Sequence, residues 1–216
     1  MTPPTQKIRL ILELRRAGIT DTGLLSAFEQ LPREQFVPEA FVDQAWEDTP
    51  LPIGQGLTIS QPTVVARMVQ ALEPDSRLKV LEIGTGSGFQ TAVLSRVFRR
   101  VYTIEREPHF LQSAQDRLLA LRLYNVTGRP GDGSLGWPQQ APFDRIIVSA
   151  ASEEVPPLLW DQLDVGGVMV CPLGAARDEQ RLTQFIRTDR APIVRDLGPV
   201  RFLPLVAGMP QRRAVG

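Results

Sequence analysis

The sequence predicts an α/β protein: a doubly wound, mostly parallel sheet with helices on both faces, an antiparallel C-terminal edge and a helical N-terminal cap. Three observations predict it. Between residues 78 and 173, short apolar runs rich in β-branched residues alternate with segments of helical spacing, the pattern of βαβ units. Three glycines at alternate positions, Gly84, Gly86 and Gly88, stand between one such run and the helix after it. From Gln180 onward the residues alternate in polarity instead, as antiparallel strands do.

Taken in order, the run from Ile8 to Arg16 is an amphipathic helix stopped by Gly18, and Asp21 caps a second helix through Phe28 that Pro32 ends. Pro38 to Trp46 reads as a third short helix. Residues 1–48 thus form the helical cap. Residues 49–62 carry too much Pro and Gly for a regular element and read as an ordered loop. Helix resumes from Val64 to Leu72. Ser60 is placed as its N-cap and Pro62 falls in the first turn, where a missing N–H is harmless.

Leu78 to Ile83 is a buried parallel strand, and Thr91 to Phe98 has the apolar spacing of a helix. Arg100 to Glu105 is the next strand, followed by a helix from His109 to Leu121 and a strand from Val126 that runs into Gly131-Asp132-Gly133. Pro142 to Ala151 is almost wholly apolar, a strand buried on both faces. A helix from Val155 to Leu163 leads through Gly166-Gly167 to the strand Val168 to Leu173. Arg181 to Thr188 and Val200 to Leu205 form a closing hairpin, and the tail from Met209 is expected to fray. The whole is one Rossmann-like domain, with the ligand-binding core at 63–175 and the antiparallel strands and tail at 176–216.

Composition narrows the chemistry. With 216 residues the chain is long enough for one domain to bury its own core. Lys plus Arg and Asp plus Glu balance at 24 each, so no global field draws in nucleic acid or an anionic membrane, and neither is an expected partner. The start, Met1 to Gln6, has no apolar core behind a basic segment, and no apolar run reaches the ~20 residues of a membrane span. A cytoplasmic protein is the expectation. One cysteine and one histidine leave neither an internal disulfide nor a Cys/His zinc cluster, and no metal is expected. Cys171, among apolar neighbours, reads as a buried small hydrophobe. His109 follows Pro108 at a helix start, with no titratable partner placed near it.

The strand-turn-helix at 78–98 is where a ligand is expected. Glycine serves there if the backbone must take φ > 0 or approach a ligand closely; an ordinary Gly-rich βα loop is the competing reading. The register G-x-G-x-G differs from the dinucleotide fingerprint G-x-G-x-x-G. Phe89 and Gln90 stand where a phosphate-cradling P-loop has Gly-Lys-Ser/Thr. Glu105 lies about 20 residues past the first glycine, the offset at which a carboxylate reaches ribose hydroxyls; a helix N-cap or surface acid before Pro108 is the alternative. Asp132, flanked by glycines that let a flat ring lie close, is placed to accept from an adenine amino group. The run Glu82-x-Gly84-x-Gly86-x-Gly88 resembles the first motif of the class I S-adenosylmethionine-dependent methyltransferases.

Longer stretches resemble one family in particular. Pro32 to Val37, Leu51 to Pro62 (Leu-Pro-Ile-Gly-Gln-Gly-Leu-Thr-Ile-Ser-Gln-Pro), Val80 to Gly88, Gly131-Asp132-Gly133, Ala141 to Val148 and Val200 to Leu205 are similar, in order and spacing, to the protein-L-isoaspartate O-methyltransferases, over nearly the whole chain. Phe89 replaces the usual Tyr, Leu203 the usual Val, and Thr63 an aromatic residue or His. The resemblance implies methyl transfer from S-adenosylmethionine, leaving S-adenosylhomocysteine, to the carboxylate of L-isoaspartyl residues in damaged proteins and peptides, by a monomer. It implies that Thr58, Ile59, Glu82, Gly84, Thr85, Gly86, Ser87, Gly88, Glu105, Asp132 and Gly133 bind the cofactor. Ser60 is then the active-site residue, binding substrate together with Leu205 and Val206. The rival readings are a class I enzyme acting on a small-molecule carboxylate and a non-catalytic S-adenosylmethionine-binding protein.

Overall fold

The computed structural model describes residues 3–175 and 179–210. It opens with helices α1 (Pro3–Arg16) and α2 (Thr22–Gln30). Asp21 caps α2, its Oδ1 accepting from the Leu24 N–H at 2.7 Å. The expected third helix is tighter than an α-helix: Arg33–Phe36 and Glu39–Gln44 are short 3₁₀ turns. The Pro/Gly-rich loop holds a small antiparallel hairpin, β1 (Leu51–Gly54) with β2 (Leu57–Ile59). Its turn residues Gln55 and Gly56 both take positive φ, +51° and +76°, the backbone that closes a two-residue hairpin.

Helix α3 (Pro62–Ala71) leads into the core elements β3 (Lys79–Ile83), α4 (Phe89–Val97), β4 (Arg100–Glu105), α5 (Pro108–Ala120), β5 (Val126–Pro130), β6 (Phe143–Val148), α6 (Pro157–Gln162) and β7 (Leu163–Leu173). Two more strands, β8 (Gln180–Ile186) and β9 (Ile193–Val200), complete a seven-stranded sheet of order β5-β4-β3-β6-β7-β8-β9. The five strands from β5 to β7 are parallel, and β8 and β9 are antiparallel. The predicted fold class is therefore the observed one. All four residues Val80, Leu81, Glu82 and Ile83 of β3 are buried, because helices cover both faces of a parallel sheet. On one face α1, α2 and α3 pack with α4 around Leu14, Phe28, Met68 and Phe89. On the other, Leu81, Ile83, Ile146 and Leu159 form a second cluster.

Two further expectations change. The last strand ends at Val200, where the sequence pattern placed a strand from Val200 to Leu205. Val200 pairs with Gln180, the first residue of β8, and the Gln180 side-chain amide occupies both main-chain groups of Phe202; among the described residues there is no further strand residue of β8 to pair with there. It turns instead across the carboxyl ends of the parallel strands. There the Ala151 N–H donates to the Leu203 carbonyl at 2.8 Å and the Leu205 N–H to the Ala151 carbonyl at 2.7 Å. The second change is at Ser60. Helix α3 begins after Gln61, and no side chain of its own cap residue bonds its first turn. The expected fraying of the tail falls, from residue 211 onward, outside the described residues.

Candidate active site

The strand order changes direction at β3, with β4 and β5 to one side and β6 to the other, and open α/β sheets bind ligands in the crevice at such a point. A cavity of about 750 Å³ lies there, within the ~300–1,000 Å³ of small-molecule sites. The glycine loop after β3 lines it with Gly84, Thr85, Gly86 and Ser87, and the end of β4 with Ile104 and Glu105. Thr58, Ile59 and Ser60 come from the hairpin segment, Gly133 from the loop after β5, and Phe202 to Val206 from the crossing tail.

The glycine register has a local cause. Gly84, Gly86 and Gly88 take φ of +93°, +52° and +86°, backbone that favours glycine. Gly88 is also the residue on which α4 starts, and a Cβ there would meet the Ala114 side chain of α5 at 2.9 Å. It packs helix against helix and does not line the cavity. Glu105, only 6% exposed, holds the loop. Its Oε2 accepts the Gly86 N–H at 2.8 Å and its Oε1 the Glu107 N–H at 3.0 Å. Each carboxylate oxygen has a second lone pair, so the acid can brace the loop and still receive a pair of ligand hydroxyls.

Glu82 is fully buried beneath the loop and outside the cavity lining. It accepts from Thr91 Oγ1 at 2.5 Å, Thr103 Oγ1 at 2.7 Å and Gln90 Nε2 at 3.0 Å. Burial pushes its pKa up to about 7 against the pull of those three donors. Gln90 also donates to Ser149 Oγ at 2.7 Å. Both Gln90 and Ser149 line the cavity, so the buried carboxyl reaches it through one amide. Sequence reasoning picked neither residue. Nothing in a glutamine in the first turn of a helix, or a serine at a strand end, separates it from its neighbours until the strands are laid side by side.

Asp132 likewise stands beside the cavity and not in its lining. Its Oδ1 accepts from Ser134 N–H and Oγ at 2.9 and 2.7 Å, and its Oδ2 accepts the Gly208 N–H at 2.6 Å. Arg106 Nε donates to the Gly208 carbonyl at 2.9 Å, so both main-chain groups of Gly208 are held at the far end of the crossing. Of the residues singled out from the sequence, the cavity thus gathers Thr58, Ile59, Ser60, Gly84, Thr85, Gly86, Ser87, Glu105, Gly133, Leu205 and Val206, and leaves Glu82, Gly88 and Asp132 behind it.

Ser60 is relieved of the capping duty its position suggested. Asp48 Oδ1 accepts the Thr63 N–H at 2.8 Å, and its Oδ2 accepts from Thr63 Oγ1 at 2.6 Å and Gln61 Nε2 at 2.9 Å. A carboxylate 15 residues upstream therefore caps α3. Ser60 lines the cavity, and its hydroxyl makes no hydrogen bond within the described residues. Among those residues no group of three or more His, Cys, Asp or Glu side chains is placed to hold a metal ion.

The family model described as protein-L-isoaspartate(D-aspartate) O-methyltransferase matches residues 5–209. A protein-L-isoaspartate O-methyltransferase of Rhodospirillum centenum is 57% identical over 207 residues, covering 95% of this chain and 94% of the relative. That of Rhodospirillum rubrum is 54% identical over 218 residues, covering all of both chains. A solved protein-L-isoaspartate O-methyltransferase superposes with a TM-score of 0.84 at 29% identity, over 94% of this chain and 66% of that one. A Plasmodium falciparum structure in complex with S-adenosyl-L-homocysteine shares the fold, with a TM-score of 0.76 at 23% identity over 92% of this chain and 97% of that one. Matched along nearly its whole length by the family model and by relatives more than half identical to it, the chain belongs to the protein-L-isoaspartate(D-aspartate) O-methyltransferase family.

Proposed function

We propose that this chain repairs damaged proteins by transferring the methyl group of S-adenosylmethionine to the carboxylate of L-isoaspartyl residues. The single observation that carries the assignment of roles is that Ser60, whose hydroxyl makes no hydrogen bond within the described residues, lines the same cavity as the glycine loop and Glu105. The residues present fit the cofactor: Gly84 and Gly86 leave the loop that lines its cradle free of Cβ atoms, and the Glu105 oxygens keep lone pairs for a ribose diol. When bound, the cofactor supplies an electrophilic sulfonium methyl.

The chain's own residues then have to position a nucleophile, not make one. A carboxylate with an ordinary pKa near 4 is ionised at pH 7, so no general base is required. The Ser60 hydroxyl donates to one oxygen of the substrate carboxylate and directs the other toward the methyl, and the cavity walls exclude water; orientation of this kind supplies much of the rate. The crossing tail offers an edge to the peptide. Leu203 and Leu205 spend their main-chain groups on Ala151, and the alternation of an extended chain turns the Pro204 carbonyl and the Val206 N–H to the opposite side, where a substrate strand adds by β-augmentation. A lone buried thiol, Cys171, suits a reducing cytoplasm. No described helix is long and apolar enough to cross a membrane.

The test is methyl-ester formation with labelled S-adenosylmethionine on two peptides that differ only in an isoaspartyl or aspartyl linkage. Esterification of the isoaspartyl peptide with little on its isomer is expected. Equal rates, or transfer only to a small carboxylate, would reject the substrate, and cofactor binding without transfer would reject the enzyme.

A further inference from the structure

Arg33 is wholly buried, and its surroundings are poor for a cation. Its Nε donates to the Ala45 carbonyl at 2.8 Å and its Nη2 to the Ser60 carbonyl at 3.1 Å, while its Nη1 has no partner. No carboxylate pairs with it in the described residues; the charge of Asp48 acts on it from farther off, and burial lowers its pKa to about 9. Its guanidinium lies 4.7 Å from the centre of the Phe89 ring. Taking a guanidinium out of water is costly, and an apolar side chain of similar volume commonly serves stability as well or better. Core packing alone is thus a poor reason for arginine here.

What an apolar residue cannot do is hold two carbonyls from separate segments. Ala45 closes the 3₁₀ turn Glu39–Gln44 of the helical cap, Ser60 lines the cavity, and Phe89 opens α4 directly after the glycine loop and lines the cavity too. On the far side of Ser60, Asp48 grips Gln61 and Thr63 through the three bonds described above. The turn Ser60-Gln61-Pro62-Thr63 is therefore held from both flanks, by a cation and an anion that belong to the same short segment of the cap. The Pro32 to Val37 stretch, otherwise without a part in the site, gains one.

We propose that Arg33 and Asp48 are positioning residues for Ser60, gripping its carbonyl on one side and Gln61 and Thr63 on the other so that its hydroxyl is presented to the substrate carboxylate. The proposal rests on the reading of Ser60 given above. Neither residue touches the reacting atoms; both act through the serine.

A double-mutant cycle tests it. With S-adenosylhomocysteine Kd and thermal midpoint measured alongside, Arg33→Met in the native background is expected to lower kcat on the isoaspartyl peptide at least tenfold with Kd changed less than threefold. In a Ser60→Ala background the same change is expected to lower kcat less than threefold, because the group it positions is gone. Asp48→Asn, which keeps one acceptor oxygen, runs through the same cycle and decides the matter if Arg33→Met does not fold. Equal losses in both backgrounds, or no loss in the native one, overturn the proposal. Amide hydrogen exchange across residues 58–63 gives a readout without catalysis: faster exchange in Arg33→Met, restored in part by Arg33→Lys, is expected, and unchanged exchange overturns the clamp. If the native chain fails to methylate the isoaspartyl peptide, the functional reading falls, and exchange alone decides whether the turn is clamped.

Discussion

Glu105 and Gly86 are joined by a hydrogen bond of 2.8 Å across 19 residues of chain, from the Gly86 N–H to the Glu105 carboxylate. The acid that ends one strand is thereby the brace of the loop that follows its neighbour, and whatever ribose bonds it makes come on top of that task. Replacing it removes both at once. Glu105→Ala is expected to weaken S-adenosylhomocysteine binding at least tenfold, about 1.4 kcal/mol, and Glu105→Gln, which keeps one acceptor, less. Titration calorimetry measures this. An unchanged Kd for Glu105→Ala would show that the loop holds its shape unaided and that the acid does not meet the ligand.

On the function proposed above, Ser60 and Asp48 divide two jobs that local spacing assigns to one residue. Since Asp48 caps α3, Ser60→Ala should change folding stability by less than about 0.5 kcal/mol, whereas Asp48→Ala should lose the ~0.5–2 kcal/mol of a helix cap. Turnover by Ser60→Ala is expected to fall more than tenfold with cofactor affinity nearly intact. Urea unfolding and peptide methylation separate the two; a Ser60→Ala variant that is less stable yet fully active would reverse the assignment.

The strand-turn-helix, the acid at the end of β4 and the antiparallel edge were legible because each is written in consecutive residues: an apolar run, a glycine register, a change of period. What could not be read was long-range. Asp48 caps a helix that begins 14 residues on, at Pro62, from the bend before β1, and Asp132 binds Gly208 across 76 residues. Local spacing made Ser60 the best capping candidate because N-cap preference carries no information about a carboxylate arriving from elsewhere. Glu82 shows the same limit. The acid of a glycine motif points toward a ligand in sequence logic, yet strand alternation and helix packing put this one in the core.

The glycines of the loop differ in what they tolerate. At Gly86, φ is +52° and the nearest heavy atom to an added methyl would be Ile53 Cδ1 at 3.8 Å, so Gly86→Ala should cost only the left-handed backbone, about 1–2 kcal/mol. At Gly88, φ is +86° and the methyl would sit 2.9 Å from Ala114 Cβ and 3.3 Å from Ala114 Cα. Gly88→Ala is therefore expected to cost more, adding ~1–3 kcal/mol of overpacking. Urea midpoints compare the two directly, and equal losses would mean that α5 yields freely.

Cys171 is buried in β7, and desolvation pushes its thiol pKa up to about 12. Thiolate is the reactive form. A chromogenic disulfide reagent at pH 8 should find no thiol in the native protein and one per chain in denaturant. Rapid native reaction would mean that β7 opens on the timescale of the assay.

Glu82 sets a slope in the pH dependence of stability. Its carboxyl has a pKa of about 7 in the fold against an ordinary 4.5, raised by complete burial. Below pH 4.5 it is protonated whether the chain is folded or not, and its contribution is fully present. As pH rises from there, the unfolded chain ionises while the fold keeps its proton, so stability is lost until about pH 7 and changes no further. The difference corresponds to about 3 kcal/mol at 1.36 kcal/mol per pH unit. Glu82→Gln removes the titration. Its amide can be accommodated because the hydroxyls of Thr103 and Thr85 lie 2.6 Å apart and either can donate, so the chain of hydroxyls can reverse to accept an N–H. The native protein is thus expected to lose about 3 kcal/mol relative to Glu82→Gln between pH 4.5 and pH 8, read as diverging urea midpoints. Parallel profiles would mean that Thr91, Thr103 and Gln90 stabilise the carboxylate enough to keep it ionised in the core.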